Sequence, residues 1–318
     1  MLITIPAAKA DERIFKFLTL NLLFSEPSTS PSSAGEARFD SIAKFILDEN
    51  IDCVLCQEVV GGKLAQELGL VEMLNGSLEL KSKLGDDYRL RYRLANGVPF
   101  VLSVGNAIFC KKPVKIKWTV ARTLPFAYEI TLHGIDIKLR RRIMGCLLDV
   151  PDFGRLLLFN VHLCAACPTD QRQAQINKAL KFIKTVRTIV RLFYGKVPCV
   201  FGGDFNIQDV SKGSLESAAD EYNLITGAGF SDAYAETNEC VFQTDCCLPD
   251  DDPSSVEPGC TFAVDNNPFE NDPQQTSRID YFFLERLTAK SAYVVFNSDR
   301  GPFVSDHSGL VVEMTPWD

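Results

Sequence analysis

Gly202-Gly203-Asp204-Phe205-Asn206 closes a short apolar run, Val197-Pro198-Cys199-Val200-Phe201. A run of that length and composition reads as a buried strand. The two glycines let the backbone turn sharply where the strand ends. Asp204 and Asn206 stand two apart, so on extended backbone both point to one face. That face then carries a carboxylate and an amide together. A carboxylate is a hard oxygen ligand for Mg²⁺, and an amide donates to a phosphate oxygen. An Asx-rich turn closing a strand accounts for the same residues equally well, so the rest of the chain has to decide.

The chain has 318 residues, 46% of them hydrophobic and 23% charged. Those values suit a globular protein with a large core, and α/β enzymes of this size often form one domain. We therefore expect a single domain over 1–318. The formal net charge is −8 and the sequence pI about 5.1. Such a field disfavours adventitious binding to polyanions, while a metal site reverses its sign locally. Of the 11 cysteines, Cys53, Cys56, Cys110, Cys146 and Cys199 sit in apolar runs and read as small buried hydrophobes. Cys240, Cys246, Cys247 and Cys260 share one polar segment and suit a local disulfide or a metal site; the odd total leans toward a reducing compartment. The N-terminus shows no basic region followed by a long apolar core, and no run of about 18 apolar residues occurs. The expectation is a cytoplasmic protein, or one exported without an evident cleavable signal, with no transmembrane segment.

In chain order, Ile14 to Leu23 is a strand candidate ending near Asn21. Ser25 to Ala37 is a loop dense in Ser and Pro. Phe39, Ile42, Phe45 and Ile46 recur at helical spacing, Ile51 to Cys56 is a short buried strand closed by Gln57-Glu58, and Lys63 to Leu74 reads as a helix. Strands are expected at Tyr88–Leu94, Val98–Cys110, Val114–Thr119, Ile135–Val150 and Arg155–Leu163, the last two forming a hairpin around Pro151-Asp152-Phe153-Gly154. Asp170 to Phe193 is the longest helix, its stripe of Ile176, Ala179, Leu180, Ile183, Val186 and Val190 being ordinary core packing. Residues 243–277, rich in Pro, Asp, Asn and Ser, read as a loop insertion bordering the site and more mobile than the core. Ile279–Leu284, Ala292–Phe296 and Gly309–Met314 are the last strands. Alternating helices and strands with added hairpins imply a layered α/β protein with mixed sheets.

One pattern recurs: a polar residue at the end of an apolar strand. It is seen at Asn21, Glu58, His162, the Asp204/Asn206 pair and Asp306-His307. Asp280 lies inside an apolar strand, where a carboxylate needs a partner; Arg278, two residues away, competes for that part. Each has a plainer explanation: a turn for Asn21, a helix-terminal charge for Glu58, a satisfied core histidine for His162. Yet the chain has three histidines, and two lie in these motifs. His133 lies outside them and is given no role.

Asn21 in TLNLL, Gln57-Glu58 in CQEV, Asn160-Val161-His162-Leu163, GGDFN, Arg278-Ile279-Asp280-Tyr281 and Ser305-Asp306-His307 follow the order of the endonuclease/exonuclease/phosphatase superfamily, which the chain resembles from about residue 14 to 314. The resemblance implies a DNase I-like four-layer α/β sandwich, two packed mixed β-sheets flanked by helices. It implies a Mg²⁺-dependent phosphodiesterase, Mn²⁺ being the alternative ion. Glu58 then looks like the principal metal ligand, with Asn21 and Asp306 as further ligands. Asp204 positions or deprotonates the attacking water, Asn206 donates to the scissile phosphate, and His307 is the catalytic histidine oriented by Asp280. His162 faces the phosphate, steadying the oxyanion or protonating the leaving group. Such roles suit phosphate-ester hydrolysis, which needs an in-line water, neutralised equatorial oxygens and help for the leaving oxygen.

Two positions narrow the branch. Asn160-Val161-His162-Leu163 stands where abasic-site endonucleases carry a tyrosine motif, and Leu23 stands where they carry an aspartate. Asp232 to Thr237, Gly259 to Phe262 and Arg278 to Tyr281 look most like the neutral sphingomyelinase branch. That points to a phospholipid head group as substrate, with peripheral membrane contact. A nuclease acting on nucleic acid, an inositol-phosphate-type phosphatase and a silent binding module are the alternatives.

Overall fold

The structure is a computed structural model that describes residues 14–23, 32–61, 75–99, 102–132, 135–207, 215–240, 246–247, 259–262, 267–269 and 276–316. Strand β1 (Phe15–Asn21) leads through helix α1 (Ser32–Asp48) to β2 (Cys53–Gly61), parallel to β1. Helix α2 (Gly76–Leu84) precedes the antiparallel pair β3 (Tyr88–Val98) and β4 (Leu102–Lys111). Long strands β5 (Lys115–Leu132) and β6 (Ile135–Val150) pair antiparallel, and β7 (Gly154–His162) folds back on β6. Helix α3 (Thr169–Tyr194) crosses to β8 (Cys199–Asp204), parallel to β7. Then come α4 (Leu215–Thr226), the two-residue β9 (Ser231–Asp232) and the short α5 (Ala233–Thr237). β10 (Asp280–Glu285), β11 (Leu287–Val295) and β12 (Gly309–Pro316) complete the set.

The strands make two six-stranded mixed sheets, ordered β11-β12-β1-β2-β4-β3 and β5-β6-β7-β8-β10-β9. Period-two alternation sorts each strand's residues between two faces. Phe15, Phe17, Cys53, Leu55, Ile108 and Leu310 of the first sheet meet Met144, Leu158, Val200 and Phe282 of the second in one buried cluster. The opposite residues of the first sheet, Leu18, Val54 and Phe109, pack on Phe39, Ile42 and Ile46 of α1 and Leu80 of α2. Those of the second, Leu157, Phe159, Phe201 and Phe283, pack on Ile176, Ile183 and Val190 of α3 and Ala218 of α4. The layers are therefore helix, sheet, sheet, helix. No described helix is long and apolar enough to cross a membrane.

Several elements differ from the sequence reading. Helix α1 starts at Ser32, inside the stretch read as loop, because its apolar stripe begins only at Phe39. β2 does not stop at Cys56; it continues through a bulge to Gly61. Helices α2 and α4 were not foreseen: α2 is a short helix whose buried apolar side chains are Leu80 and Leu84, and α4 buries the small Ala218 with Ile225. β11 starts at Leu287, before a bulge between Ala289 and Ser291 that breaks the alternation. The helix expected at 63–74 lies outside the described residues.

Candidate active site

The inter-sheet faces carry hydrophobic residues until the last turn of each strand, where polar ones replace them. On β1, Asn21 continues the face of Phe15 and Phe17; its Nδ2 donates to Asp204 Oδ2 at 3.0 Å. On β7, His162 continues the face of Leu156 and Leu158, and on β10, Asp280 shares the face of Phe282. Asp280 and Asp204 are cross-strand partners in the β10–β8 ladder.

Glu58 reaches the site by a different route. Alternation on β2 places Gln57 inward with Leu55 and would send Glu58 outward. Instead the register slips between Cys56 and Val59, and Glu58 adopts φ 52°, left-handed for a non-glycine residue. A bulge of this kind re-aims a side chain, and the Glu58 carboxylate comes 3.8 Å from His162 Nε2. The GGDFN turn is built by close approach. Gly203 has φ +134°, and a Cβ there would lie 2.1 Å from the Val161 carbonyl oxygen, so only glycine fits. Asn206, at φ 48°, gives its backbone N–H to Asp204 Oδ1 at 3.0 Å and its Nδ2 to the Leu163 carbonyl at 3.1 Å.

The two histidines differ in what surrounds them. His307 Nδ1 lies 2.9 Å from Asp280 Oδ2, and its Nε2 points to Asp204 Oδ2 at 3.9 Å. Burial opposes protonation of His307, but the adjoining Asp280 carboxylate outweighs it and holds the ring well above its usual value. His162 Nε2 lies 3.3 Å from Asp204 Oδ2, and Arg141 Nη1 lies 3.4 Å from its Nδ1. Burial, then the Arg141 and His307 charges, hold His162 well below its usual value. A neutral His162 accepts from Arg141 at Nδ1 and so carries its proton on Nε2, facing the carboxylates. Burial pushes Asp204 up to about 7, with His307 opposing and Asp280 and Glu58 adding to the rise. Asp306 is half-buried and accepts no backbone bond; its Oδ1 lies 3.0 Å from Ser305 Oγ, which donates to the Asn21 carbonyl at 2.7 Å.

The structure thus brings Asn21, Glu58, His162, Asp204, Asn206, Asp280, Asp306 and His307 to one end of the sandwich. The donor chemistry fits a divalent cation: Glu58, Asp204, Asp280 and Asp306 outnumber the cationic His307 and Arg141, and Asp280 Oδ1 is buried with no hydrogen-bond partner. Asp204, Asp280 and His307 offer ligand atoms within 4.8 Å of one another. Asp280 and His307 already bond to each other; Asp204, Glu58, Asn21 and Asp306 carry the other side-chain oxygens of this cluster.

Arg278 does not compete for Asp280. Its guanidinium makes a two-pronged bond to Asp232, at 3.1 and 2.7 Å, and lies over the Tyr281 ring at 4.4 Å. Arg141 escaped the sequence reading because it sits in Arg140-Arg141-Arg142, which reads as a solvated charge run. Thr261 escaped it as well: its Oγ1 accepts the backbone N–H of both Ile279 and Asp280, at 3.1 Å each, and its carbonyl accepts from Ser308 at 2.7 Å. The neighbouring Phe262 bridges to His307, ring centroids 5.0 Å apart. The described parts of the 243–277 stretch therefore border the site, and Cys260 and Thr261 are buried. Cys240–Cys246 and Cys247–Cys260 are disulfides, and so is Cys164–Cys167, which the sequence reading did not pair.

Two packed mixed sheets between helices, with carboxylates, amides and paired histidines at one end, define the DNase I-like class of α/β hydrolase. The profile of the Endonuclease/Exonuclease/phosphatase family matches residues 18–307. The chain belongs to that family. No curated protein sequence matches it significantly. Among solved structures, an endonuclease/exonuclease/phosphatase from Bacteroides vulgatus superposes with a TM-score of 0.63 at 18% identity, over 96% of this chain and 100% of that one. A mannosyl-6-phosphatase from Bacteroides thetaiotaomicron gives 0.62 at 18%, over 95% and 99%. TDP2 of D. rerio, complexed with a single-strand DNA product, gives 0.62 at 17%, over 96% and 100%. At these identities the likeness establishes the fold.

Proposed function

We propose that this chain is a Mg²⁺-dependent phosphoesterase that cleaves a P–O bond by in-line attack of water. We further propose that its substrate carries negative charge beyond the scissile phosphate. The observation that carries the first part is the Asp280–His307 pair aimed, through Nε2, at the buried Asp204 carboxylate. Glu58, Asn21 and Asp306 would hold the ion, which when bound neutralises phosphate charge and lowers the pKa of bound water. Asp204 takes the proton of the attacking water. His307, kept charged by Asp280, and the Nε2–H of His162 stabilise the equatorial oxygens, with the remaining N–H of Asn206. Loss of the leaving oxygen is helped by proton donation, worth roughly 10²–10⁴-fold in rate.

The second part is supported by arginines. The arginine ion pairs among the described residues are Arg172–Glu221, Arg187–Glu285 and Arg278–Asp232. None involves Arg91, Arg93, Arg140, Arg141 or Arg142, which lie on β3 and β6 beside the site. Arg142 is the ladder partner of His162, and the Arg142 carbonyl accepts from Asn106, the partner of Arg93. Guanidinium groups that no carboxylate neutralises, next to a phosphate site, attract an anionic substrate and repel a choline head group. The sphingomyelinase-like motifs have another use here, since Asp232 caps α5 and holds Arg278.

The test is a panel of sphingomyelin, single-stranded DNA, RNA, inositol phosphates and a chromogenic diester, with Mg²⁺ and with chelator. The expected result is Mg²⁺-dependent turnover, highest on the polyanionic substrates. Metal-independent turnover would overturn the first part, and a preference for sphingomyelin the second. No turnover on any member would leave the binding-module reading.

The six cysteines in disulfides also support placing the chain in an oxidising compartment.

A further inference from the structure

Helix α3 begins beside the site, where Gln175 Oε1 accepts the Cys164 backbone N–H at 3.0 Å. It runs roughly 39 Å, at 1.5 Å per residue, to the opposite end of the sandwich. There Ile189, Leu192 and Phe193 are 52%, 78% and 73% exposed. They stand at i, i+3 and i+4, so they share one face of the helix. This is a second apolar stripe, distinct from the buried stripe of Ile176, Ile183 and Val190. Arg191 and Lys196 are exposed beside it, Lys184 and Lys181 are exposed about one to three turns back along the helix, and none of the four makes an ion pair among the described residues. Next to the stripe lies an open groove of about 1700 Å³, lined in part by those same cations. That is larger than the roughly 300–1,000 Å³ of a small-molecule pocket.

We propose that this end of the molecule docks peripherally on an anionic bilayer surface, Ile189, Leu192 and Phe193 entering the interface while the surrounding lysines and arginine meet lipid phosphates. The argument is charge complementarity on a protein of the opposite overall sign. The chain carries −8, yet this end presents unpaired cations around an apolar tip, the composition of an interfacial helix. Ile189 sits on the edge of the groove, while Leu192 and Phe193, 78% and 73% exposed, stand outside it, which suits insertion into a soft surface. A second copy docking through the same face would bring like charges together. The proposal does not rest on the phosphoesterase reading, and it has a consequence for it. A molecule held at this end turns the opposite end, with its carboxylates and histidines, toward water, so that site draws its substrate from solution.

The test uses the full chain with vesicles of phosphatidylcholine alone and of phosphatidylcholine and phosphatidylserine in equal parts, read by co-sedimentation. Binding is expected to the phosphatidylserine vesicles only, weakening as salt rises. Leu192→Ser combined with Phe193→Ser should weaken it about tenfold or more through lost apolar burial. Lys181→Glu combined with Lys184→Glu should do the same through lost charge. All four positions are exposed and none belongs to the carboxylate–histidine cluster, so circular dichroism should be unchanged. No binding to the phosphatidylserine vesicles, or wild-type binding by both double variants, would overturn the proposal. A concentration-dependent dimer abolished by Leu192→Ser with Phe193→Ser, without vesicle binding, would replace the bilayer with a second copy. Because the readout is binding, inactivity on every phosphoester would leave the result intact.

Discussion

Asp280 has two oxygens and one partner. Its Oδ2 meets His307 Nδ1 at 2.9 Å, and the buried Oδ1 has no bond. A carboxylate this buried survives by keeping a cation beside it. Asp280→Asn keeps the shape but removes the charge that holds His307 protonated. Turnover should then fall roughly 10²–10⁴-fold with little change in KM, because what is lost acts on the transition state. A variant with normal kcat would sink the role. The pair also has a stability signature. His307 is raised above its ordinary value of about 6.5, so its contribution is complete below that pH and is lost as pH rises through the raised value. The alkaline limb of Tm against pH should therefore flatten in Asp280→Asn. The pairing was legible in the sequence, since an aspartate flanked by Ile279 and Tyr281-Phe282-Phe283 has few solvated escapes. Arg141 was not, because nothing in a run of three arginines says which one turns toward a histidine 21 residues away.

Loops, more than strands, fix the working geometry. Thr261 accepts two N–H groups at the start of β10 and receives Ser308 on its carbonyl, so it ties Asp280 to the residue after His307. Thr261→Val keeps the volume and removes the acceptor. Two buried N–H groups would lose their partner, at about 1–3 kcal/mol each. A drop in Tm together with lower kcat is expected; unchanged values for both would show the tie to be idle. Cys260 anchors this loop through its disulfide to Cys247. The unreduced, denatured chain should titrate five thiols, Cys53, Cys56, Cys110, Cys146 and Cys199, and the reduced chain 11. Eleven thiols before reduction would refute the disulfides and the oxidising compartment with them. Those five were readable as buried hydrophobes from their apolar neighbours. The pairing Cys164–Cys167 was not read, although its two-residue spacing and the following Pro168 do mark a turn after β7. The bulge at Glu58 was hidden: the motif named the residue, but alternation alone would have turned it away from the site.

The carboxylate–histidine end belongs to neither sheet alone. The first sheet supplies Asn21 and Glu58, the second His162, Asp204 and Asp280, and the loop before β12 adds Asp306 and His307. Gln57 and Asn160 bridge the sheets just beneath, Nε2 to Oδ1 at 2.8 Å, and Asn160 Nδ2 also holds the Cys56 and Ala107 carbonyls. Layering was legible from alternating helices and strands, but the pairing of β12 with β1 joins the chain's two ends, and no local pattern encodes that. Because the donors come from both sheets, an ion bound among them should stabilise the packed state and have little affinity for the unfolded chain. Its effect should also depend on pH in a defined direction. Burial pushes Asp204 up to about 7, so without metal the native state binds a proton that the unfolded chain releases near its ordinary value of about 3.9. Stability from this group is therefore greatest at low pH and falls as pH rises through that window. An ion held beside Asp204 by Glu58, Asn21 and Asp306 would disfavour that proton through its charge. The Mg²⁺-induced rise in Tm should accordingly be small near pH 5 and grow toward about pH 8. Glu58→Gln should keep the pH trend of the metal-free protein but lose most of the Mg²⁺ increment, because the fold survives and a principal ligand does not. A Tm that ignores Mg²⁺ at every pH, or an increment unchanged in Glu58→Gln, would remove the ion from this end of the sandwich.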